Sequence, residues 1–295
     1  HVTAPDGPGV FPGTPAIGTL SVYLGDAGRP GPRRRGRHVP FSDRAADAPR
    51  RTHNRQTVLR RSVPMYETAH ARPDGESTVA RLALTAAEQG YDGLVVRNHG
   101  DSAADYDADA LAARYDIDVV DAVEVRATDR SRLAGLITSV RDRRTLVCVH
   151  GGPLNRLACE EPRVDVLAHP MDDGDVNHVL ARAAAENGVR IEFNLGGVLR
   201  TVGGRRVKTL RGLRKLRELV AAYDTPYVVS ADATSHLHLR APRELFAVGE
   251  RVGFSRDQVE RGLREWGRLA ERNRERSSDS FIEPGVRRGR YEEDD

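Results

Sequence analysis

The sequence predicts an α/β barrel of about seven parallel strands, and three observations carry that prediction. From Met65 onward, short apolar runs alternate with stretches of helical period, the pattern of repeated strand-helix-strand units. The chain has 295 residues, room for one such barrel of roughly 250 residues or somewhat fewer, plus tails. Nearly every predicted strand also ends on a polar or ionisable residue, as strands do when their C-terminal ends share one functional rim.

The apolar runs place strands at Tyr66–His70, Gly93–Asn98, Val119–Val125, Thr145–His150, Val164–His169, Arg190–Leu195 and Pro226–Ala231. Between them, apolar residues at three- and four-residue spacing predict helices over 76–89, 130–142, 175–187 and 208–222. Ser77 with Thr78 offers the first helix an N-cap and Gly90 a C-cap, and Gly188 closes the helix ending at Asn187. Right-handed crossovers between seven strands close as a TIM-like barrel. Two further helical patterns follow, 242–252 and 256–274, the second capped by Ser255; Trp266 reads as helix-packing core. Asn155 could cap a helix beginning near Leu157 or serve the rim.

The ends read differently. Residues 1–64 hold 9 of the 16 prolines, 8 glycines, the run Arg33-Arg34-Arg35 and 11 arginines against 4 aspartates, with no sustained period. Such a segment buries too little apolar surface to offset its ordering entropy, so it is expected to be disordered and outside the fold. It reads either as an upstream-extended gene model with the native start at Met65 or as a basic arm that binds RNA. Residues 277–295 are polar and charged, ending Tyr291-Glu292-Glu293-Asp294-Asp295, and are expected to be a disordered acidic tail. The barrel itself is expected over 65–276.

The net charge of +3 conceals a basic first segment and an acidic remainder with 35 basic and 39 acidic residues. Lysine is almost absent, with Lys208 and Lys215 the two examples, which suggests a GC-rich, salt-adapted source in which net charge says little about nucleic acid. Cys148 and Cys159 lie in or beside apolar segments without metal-type spacing, as in a reduced cytoplasmic protein. No run approaches a membrane span, no secretory signal opens the sequence, and no GxSxG elbow suggests covalent catalysis. Gly196-Gly197 lacks the context of a phosphate-binding loop and reads as a bend.

The strand ends carry His70, Asn98 with His99, Glu124 with Arg126, His150, His169, Asn194 and Asp232. Imidazoles and carboxylates from different strands can converge on one divalent ion. The order His70, His99, Glu124, His169, Asp232 resembles the metal-dependent phosphoesterases of the PHP (polymerase and histidinol phosphatase) superfamily, with departures. His70-Ala71-Arg72 has one histidine where HxH has two, Arg97-Asn98-His99 lacks the aspartate of TDH, and Asp232-Ala233-Thr234 lacks the last histidine of DxH, although His236 and His238 are near. The five residues read as hydrogen-bonded rim residues or as the vestige of a metal site, and no metal is expected.

Two stretches are more specific. Leu154-Asn155-Arg156, then Val164-Asp165-Val166-Leu167 and His169-Pro170, and later Val228 to Ala233 with Leu239-Arg240 and Pro242, resemble the ribonuclease P protein component 3 family in its haloarchaeal form, over about Met65 to Ala270. The resemblance implies a PHP-related barrel that binds the catalytic RNA and supports removal of the 5′ leader from precursor tRNA. It implies partners in that RNA, in precursor tRNA within the assembled complex, and in component 2 and other protein subunits, with no membrane. Chemistry would lie in the RNA with its own bound magnesium, and this chain would hold no cofactor. An autonomous PHP-type phosphoesterase is the alternative, and a scaffold without RNA contacts a third reading.

Arg156 follows a strand and the turn Gly151-Gly152-Pro153, and Arg240 sits similarly after the last strand, so both could clamp a phosphate. The segment 199–208, read as a loop, and its continuation supply Arg200, Arg205, Arg206, Lys208 and Arg211, a dense basic cluster with few acidic neighbours. Arg97 and Arg126, beside strand ends, complete the expected RNA-binding set.

Overall fold

The computed structural model describes residues 64–172 and 174–278, together with the backbone of two short strands at 281–283 and 286–287. The basic segment 1–63, and with it the question of a start at Met65, lies outside the described residues.

Seven parallel strands run in sequence order around the sheet: β1 (Tyr66–Ala69), β2 (Gly93–Val96), β3 (Asp118–Val125), β4 (Leu146–His150), β5 (Val166–Ala168), β6 (Arg190–Asn194) and β7 (Tyr227–Ser230). Helices α1 (Val79–Glu88), α2 (Ala108–Tyr115), α3 (Arg130–Arg141), α4 (Asn155–Glu160), α5 (His178–Asn187), α6 (Gly196–Arg200) and α7 (Gly203–Ala222) return the chain between them. The order closes at the top. Ala69 bridges Ala233 in parallel, with His70 N–H donating to Ala233 O at 2.8 Å and Ala233 N–H to Thr68 O at 3.2 Å. The expected TIM-like barrel is therefore present, with every strand except β3 somewhat shorter than its apolar run.

Alternation along the strands sorts two cores. Leu94, Val96, Val119, Val147, Val149, Leu167, Ile191, Phe193 and Val229 face the helices. Val95, Val120, Ala122, Leu146, Cys148, Val166, Ala168 and Val228 cluster with Tyr66 in the barrel interior.

After β7 come α8 (Pro242–Val252) and α9 (Arg256–Arg276), where the helical patterns predicted them. Ser255 caps α9 as expected, its hydroxyl accepting from Gln258 N while the Gln258 side chain returns to Ser255 N. Trp266, Leu269 and Ala270 of α9 join the interior cluster rather than a helix interface alone. The Trp266 Nε1–H donates to Val229 O at 3.0 Å, satisfying a β7 carbonyl that a fully paired β1 would otherwise take. This close approach requires small residues: a Cβ at Gly262 would lie 2.5 Å from Val229 Cγ2, and one at Gly267 2.5 Å from Tyr66 Cε2. Further along α9, Arg272 and Asn273 reach Asp165 at the start of β5 at 2.7 and 2.8 Å, and Arg274 reaches Asp118 at the start of β3 at 2.7 Å. The helix thus lies across the N-terminal mouth, leaving the C-terminal mouth open for function.

Four expectations change. α2 was not foreseen, because none of its side chains is buried and no apolar stripe marks it. The segment 199–208 is not a loop: α7 begins at Gly203, held at φ +59°, and its buried residues Leu213, Leu216 and Val220 all lie later. The first turns of α7 are solvated, so periodicity could not reveal them. Asn155 is the first residue of α4 rather than its cap, and its carboxamide ties Gly152 N to Pro170 O. In the tail, expected to lack structure, Phe281–Glu283 pairs antiparallel with Val286–Arg287.

Candidate functional site

The interior becomes polar towards the C-terminal ends of the strands. Arg97, just past β2, is wholly buried, with its guanidinium 5.8 Å from the Trp266 ring. Its Nη2 lies 2.6 Å from Asp232 Oδ1 and 2.8 Å from Glu192 Oε1, and its Nη1 lies 3.5 Å from Glu124 Oε2. Ser230 Oγ also donates to Glu192 Oε1 at 2.6 Å, and the His169 N–H to Glu192 Oε2 at 3.1 Å. A buried charge survives only when paired, and here one cation serves three carboxylates.

Above this layer four imidazoles form an arc, His70, His99, His150 and His169, with successive ring centroids 4.9, 5.8 and 4.7 Å apart. Asp74, in the loop after β1, orients two of them: its Oδ2 is 2.7 Å from the Nδ1 atoms of both His70 and His99. Their Nε2 atoms then face inward, that of His70 3.2 Å from Asp232 Oδ1 and that of His99 3.3 Å from Glu124 Oε1. His150 Nδ1 hydrogen-bonds the same Glu124 oxygen. Asn194 donates to His169 Nδ1 at 3.2 Å and to Asp232 Oδ2 at 3.0 Å. His169 and Asp232 both hold left-handed backbone, φ 48° and 50°, where their strands turn into loops.

Titration follows from this packing. Burial pushes the Glu124 and Asp232 carboxyls up, but Arg97 and the neighbouring histidines outweigh it and hold both well below the ordinary carboxylate range. Burial disfavours the His70 imidazolium, yet the hydrogen bond to Asp232 reverses the balance and raises its pKa. Lower down, burial lifts the Glu67 carboxyl to about 7, although Thr68 N and Ala231 N donate to it.

The sequence placed His70, His99, Glu124, His169 and Asp232 at the rim, and the structure brings all five together. It missed Asp74 and Glu192. Glu192 had left a signal, a carboxylate between Ile191 and Phe193 inside a buried strand; Asp74 had left none, because it lies in a loop. Three triads have donor atoms within 4.8 Å of one another: His70, His169 and Asp232; His70, Asp74 and His99; His99, Glu124 and His150. A multinuclear metal centre does not fit this set. The Asp232 and Glu192 oxygens that would bridge ions already serve the fixed cation Arg97, Arg72 turns outward to Glu76 O, and His236 and His238 are spent on Ser77 and Thr234.

The basic residues separate into two groups. Arg97, expected at an RNA surface, is instead 0 % exposed and internal, because the residue inward of β2 at that height must neutralise three carboxylates. Arg200 donates to Ala231 O at 2.7 Å and Asp232 O at 3.1 Å, fastening α6 to β7. Arg240 donates to Leu237 O and Leu239 O and shapes the loop after β7. Arg156 is exposed and pairs with Glu160 at 2.7 Å. Arg126, Arg205, Arg206, Lys208 and Arg211 are exposed, and none of them is ion-paired among the described residues.

The class these features define is an α/β barrel whose carboxylate-lined mouth is neutralised from within by an arginine. Residues 61–278 match the family described as RNase P subunit p30. Ribonuclease P protein component 3 of Natronomonas pharaonis is 63% identical over 223 residues, covering 76% of this chain and 94% of that protein. The component 3 protein of Haloarcula marismortui is 61% identical over 226 residues, covering 76% and 96%. In a cryo-EM structure of archaeal ribonuclease P with mature tRNA, one chain shares the fold with a TM-score of 0.65 at 23% identity, over 78% of this chain and all of that one. The chain belongs to the RNase P subunit p30 family and is a protein subunit of ribonuclease P.

Proposed function

We propose that this chain binds the catalytic RNA of ribonuclease P and supports cleavage of the 5′ leader from precursor tRNA, while the RNA, with the magnesium it binds, carries out the hydrolysis. The observation that carries this reading is the start of α7, where Arg205, Arg206, Lys208 and Arg211 stand exposed without acidic partners. Arg141, Arg144 and Arg190, by contrast, are each held by a carboxylate, of Asp165, Asp121 and Glu265 respectively. Cations without acidic partners gathered in the first turns of one helix suit a phosphate-bearing partner that supplies the missing negative charge. Arg126 and Arg156 present further exposed guanidinium groups elsewhere on the domain, after β3 and in α4, and Arg200 and Arg240 act by holding loops near the ends of β6 and β7.

The partners on this reading are the catalytic RNA, precursor tRNA in the assembled complex, component 2 and the other protein subunits, and the setting is the cytoplasm. Among the described residues no helix is long and apolar enough to cross a membrane. The internal pairing of Arg97 with Asp232 and Glu192 supports a chain that contributes binding rather than bond cleavage.

Reconstitution tests the proposal. Adding the chain to the RNA and remaining subunits should raise the rate of precursor-tRNA cleavage or lower its magnesium requirement, and Arg205→Ala/Arg206→Ala/Lys208→Ala should weaken RNA binding with the fold intact. Phosphoester hydrolysis by the chain alone would overturn it in favour of a phosphoesterase.

A further inference from the structure

A cleft of about 520 Å³ opens on the flank of the barrel beside His99, between the loop after β2, the end of β3 and one face of α3. Its floor is apolar, made by Val125, Leu136 and Val140. Beside Arg144, three arginines stand around that floor: Arg126 from the turn after β3, Arg132 from α3, and Arg143 from the turn that follows α3. Positions 132, 136 and 140 recur at four-residue spacing, so a single stripe of α3 supplies one of the cations and two of the floor residues. None of the three guanidinium groups has an ion-pair or hydrogen-bond partner among the described residues, whereas the neighbouring Arg141 and Arg144 are each held by an aspartate at 2.6 Å. Asp101 is the single carboxylate among the lining residues.

Unpaired guanidinium groups around an apolar floor suit a ligand that is anionic at its edge and flat and weakly polar in its body. An RNA nucleotide has that chemistry. Its phosphodiesters can take bidentate guanidinium contacts, and its base or ribose can lie on Val125, Leu136 and Val140. The volume falls in the range of small-ligand pockets, roughly 300–1,000 Å³, and suits one nucleotide rather than a duplex. The His99 imidazole is the one aromatic ring in the lining, so recognition would rest on charge, apolar contact and stacking and would tolerate any base.

We propose that this cleft is a second RNA site, which holds one unpaired nucleotide and its flanking phosphates. The inference rests on the reading of the chain as an RNA-binding subunit. Because α3 follows β3 and α7 follows β6, the two sites are three strands apart on a seven-stranded barrel. They therefore engage different stretches of RNA.

The experiment compares the full chain with two variants, Arg126→Gln/Arg132→Gln/Arg143→Gln and Arg205→Ala/Arg206→Ala/Lys208→Ala, by fluorescence anisotropy. Two labelled RNAs are used, a short single strand of mixed sequence and a blunt duplex. The cleft variant should lose on the order of tenfold in affinity for the single strand, with a salt dependence shallower by about two. Its affinity for the duplex should be unchanged. The α7 variant should weaken both. Unaltered single-strand binding by a folded cleft variant, while the α7 variant is impaired, overturns the cleft alone, as does an equal loss for both RNAs. Failure of the unaltered chain to bind either RNA overturns the RNA-binding reading beneath it.

Discussion

Arg97 donates through one nitrogen to Asp232 Oδ1 at 2.6 Å and to Glu192 Oε1 at 2.8 Å, in the interior of a barrel where its side chain has no contact with solvent. The two carboxylates come from β6 and from the turn after β7, so one guanidinium ties three staves of the barrel together.

Arg97→Met should therefore be costly. It leaves Glu124, Glu192 and Asp232 buried without their cation, a loss of roughly 3–5 kcal/mol by analogy with other broken buried pairs. In the unaltered chain Glu124 and Asp232 titrate well below the ordinary range, so their stabilising contribution is present above the unfolded pKa of about 4 and lost as pH falls through the depressed folded values. Without Arg97 those pKa values rise, and the defect should be largest at neutral pH and smaller near pH 5. Denaturant unfolding of both proteins across that range measures it; equal stability at pH 7 would refute the assignment of Arg97 as the internal counter-charge.

Glu67 has the opposite sign. Burial raises its carboxyl to about 7, so the folded state binds a proton that the unfolded state releases from about pH 4.3 upward. Its contribution to stability falls between those values and levels off above them. Glu67→Gln keeps an acceptor for Ala231 N and Thr68 N and removes the titration. The variant should gain roughly 2–3 kcal/mol relative to the unaltered chain between pH 5 and pH 8. A parallel pH dependence of the two proteins would place the Glu67 pKa near its ordinary value.

Asp165 anchors the closed end of the barrel. It accepts from Val147 N at 2.9 Å, Arg141 at 2.6 Å, Arg272 at 2.7 Å and Asn273 at 2.8 Å, joining β4, α3 and α9. Asp165→Ala should cost about 3–5 kcal/mol by leaving two guanidinium groups and a buried N–H unpaired. Proteolysis should then cut first at the exposed residues near the end of α9. Uniform protection of α9 in the variant would show that Trp266 and its neighbours hold the helix without Asp165.

The fold was legible because its signals are local. Each strand is an apolar run, and α8 and α9 carry clean amphipathic periods and a capping box at Ser255. The rim histidines and Asp232 could be ordered along the sequence because a barrel sends every strand end to one place. What could not be read was partnership. Arg97 and Arg205 are the same residue type, and it is the register of β2 that sends Arg97 inward to Asp232. Asp74 contributes through a loop whose path no period encodes. Residues quoted for the resemblance can carry structure: Asn155, read as a helix cap or a rim residue, and Asp165 both spend their polar atoms holding backbone and helices together.

The last prediction separates binding from chemistry. His169 sits at the mouth, with Nε2 3.6 Å from both Glu124 Oε1 and Asp232 Oδ2 and Nδ1 satisfied by Asn194. A hydrolytic centre built from these residues would lose orders of magnitude in rate on losing such a ligand. If the RNA performs the reaction, His169→Ala should leave precursor-tRNA cleavage by the assembled complex within about twofold and cost the chain about 1 kcal/mol, the usual scale for one point substitution. Single-turnover cleavage with saturating subunits reads the first, and thermal unfolding the second. Abolished cleavage by a variant that still folds and still assembles would move the chemistry into this chain, because no phosphate contact made by α7 or α3 passes through His169.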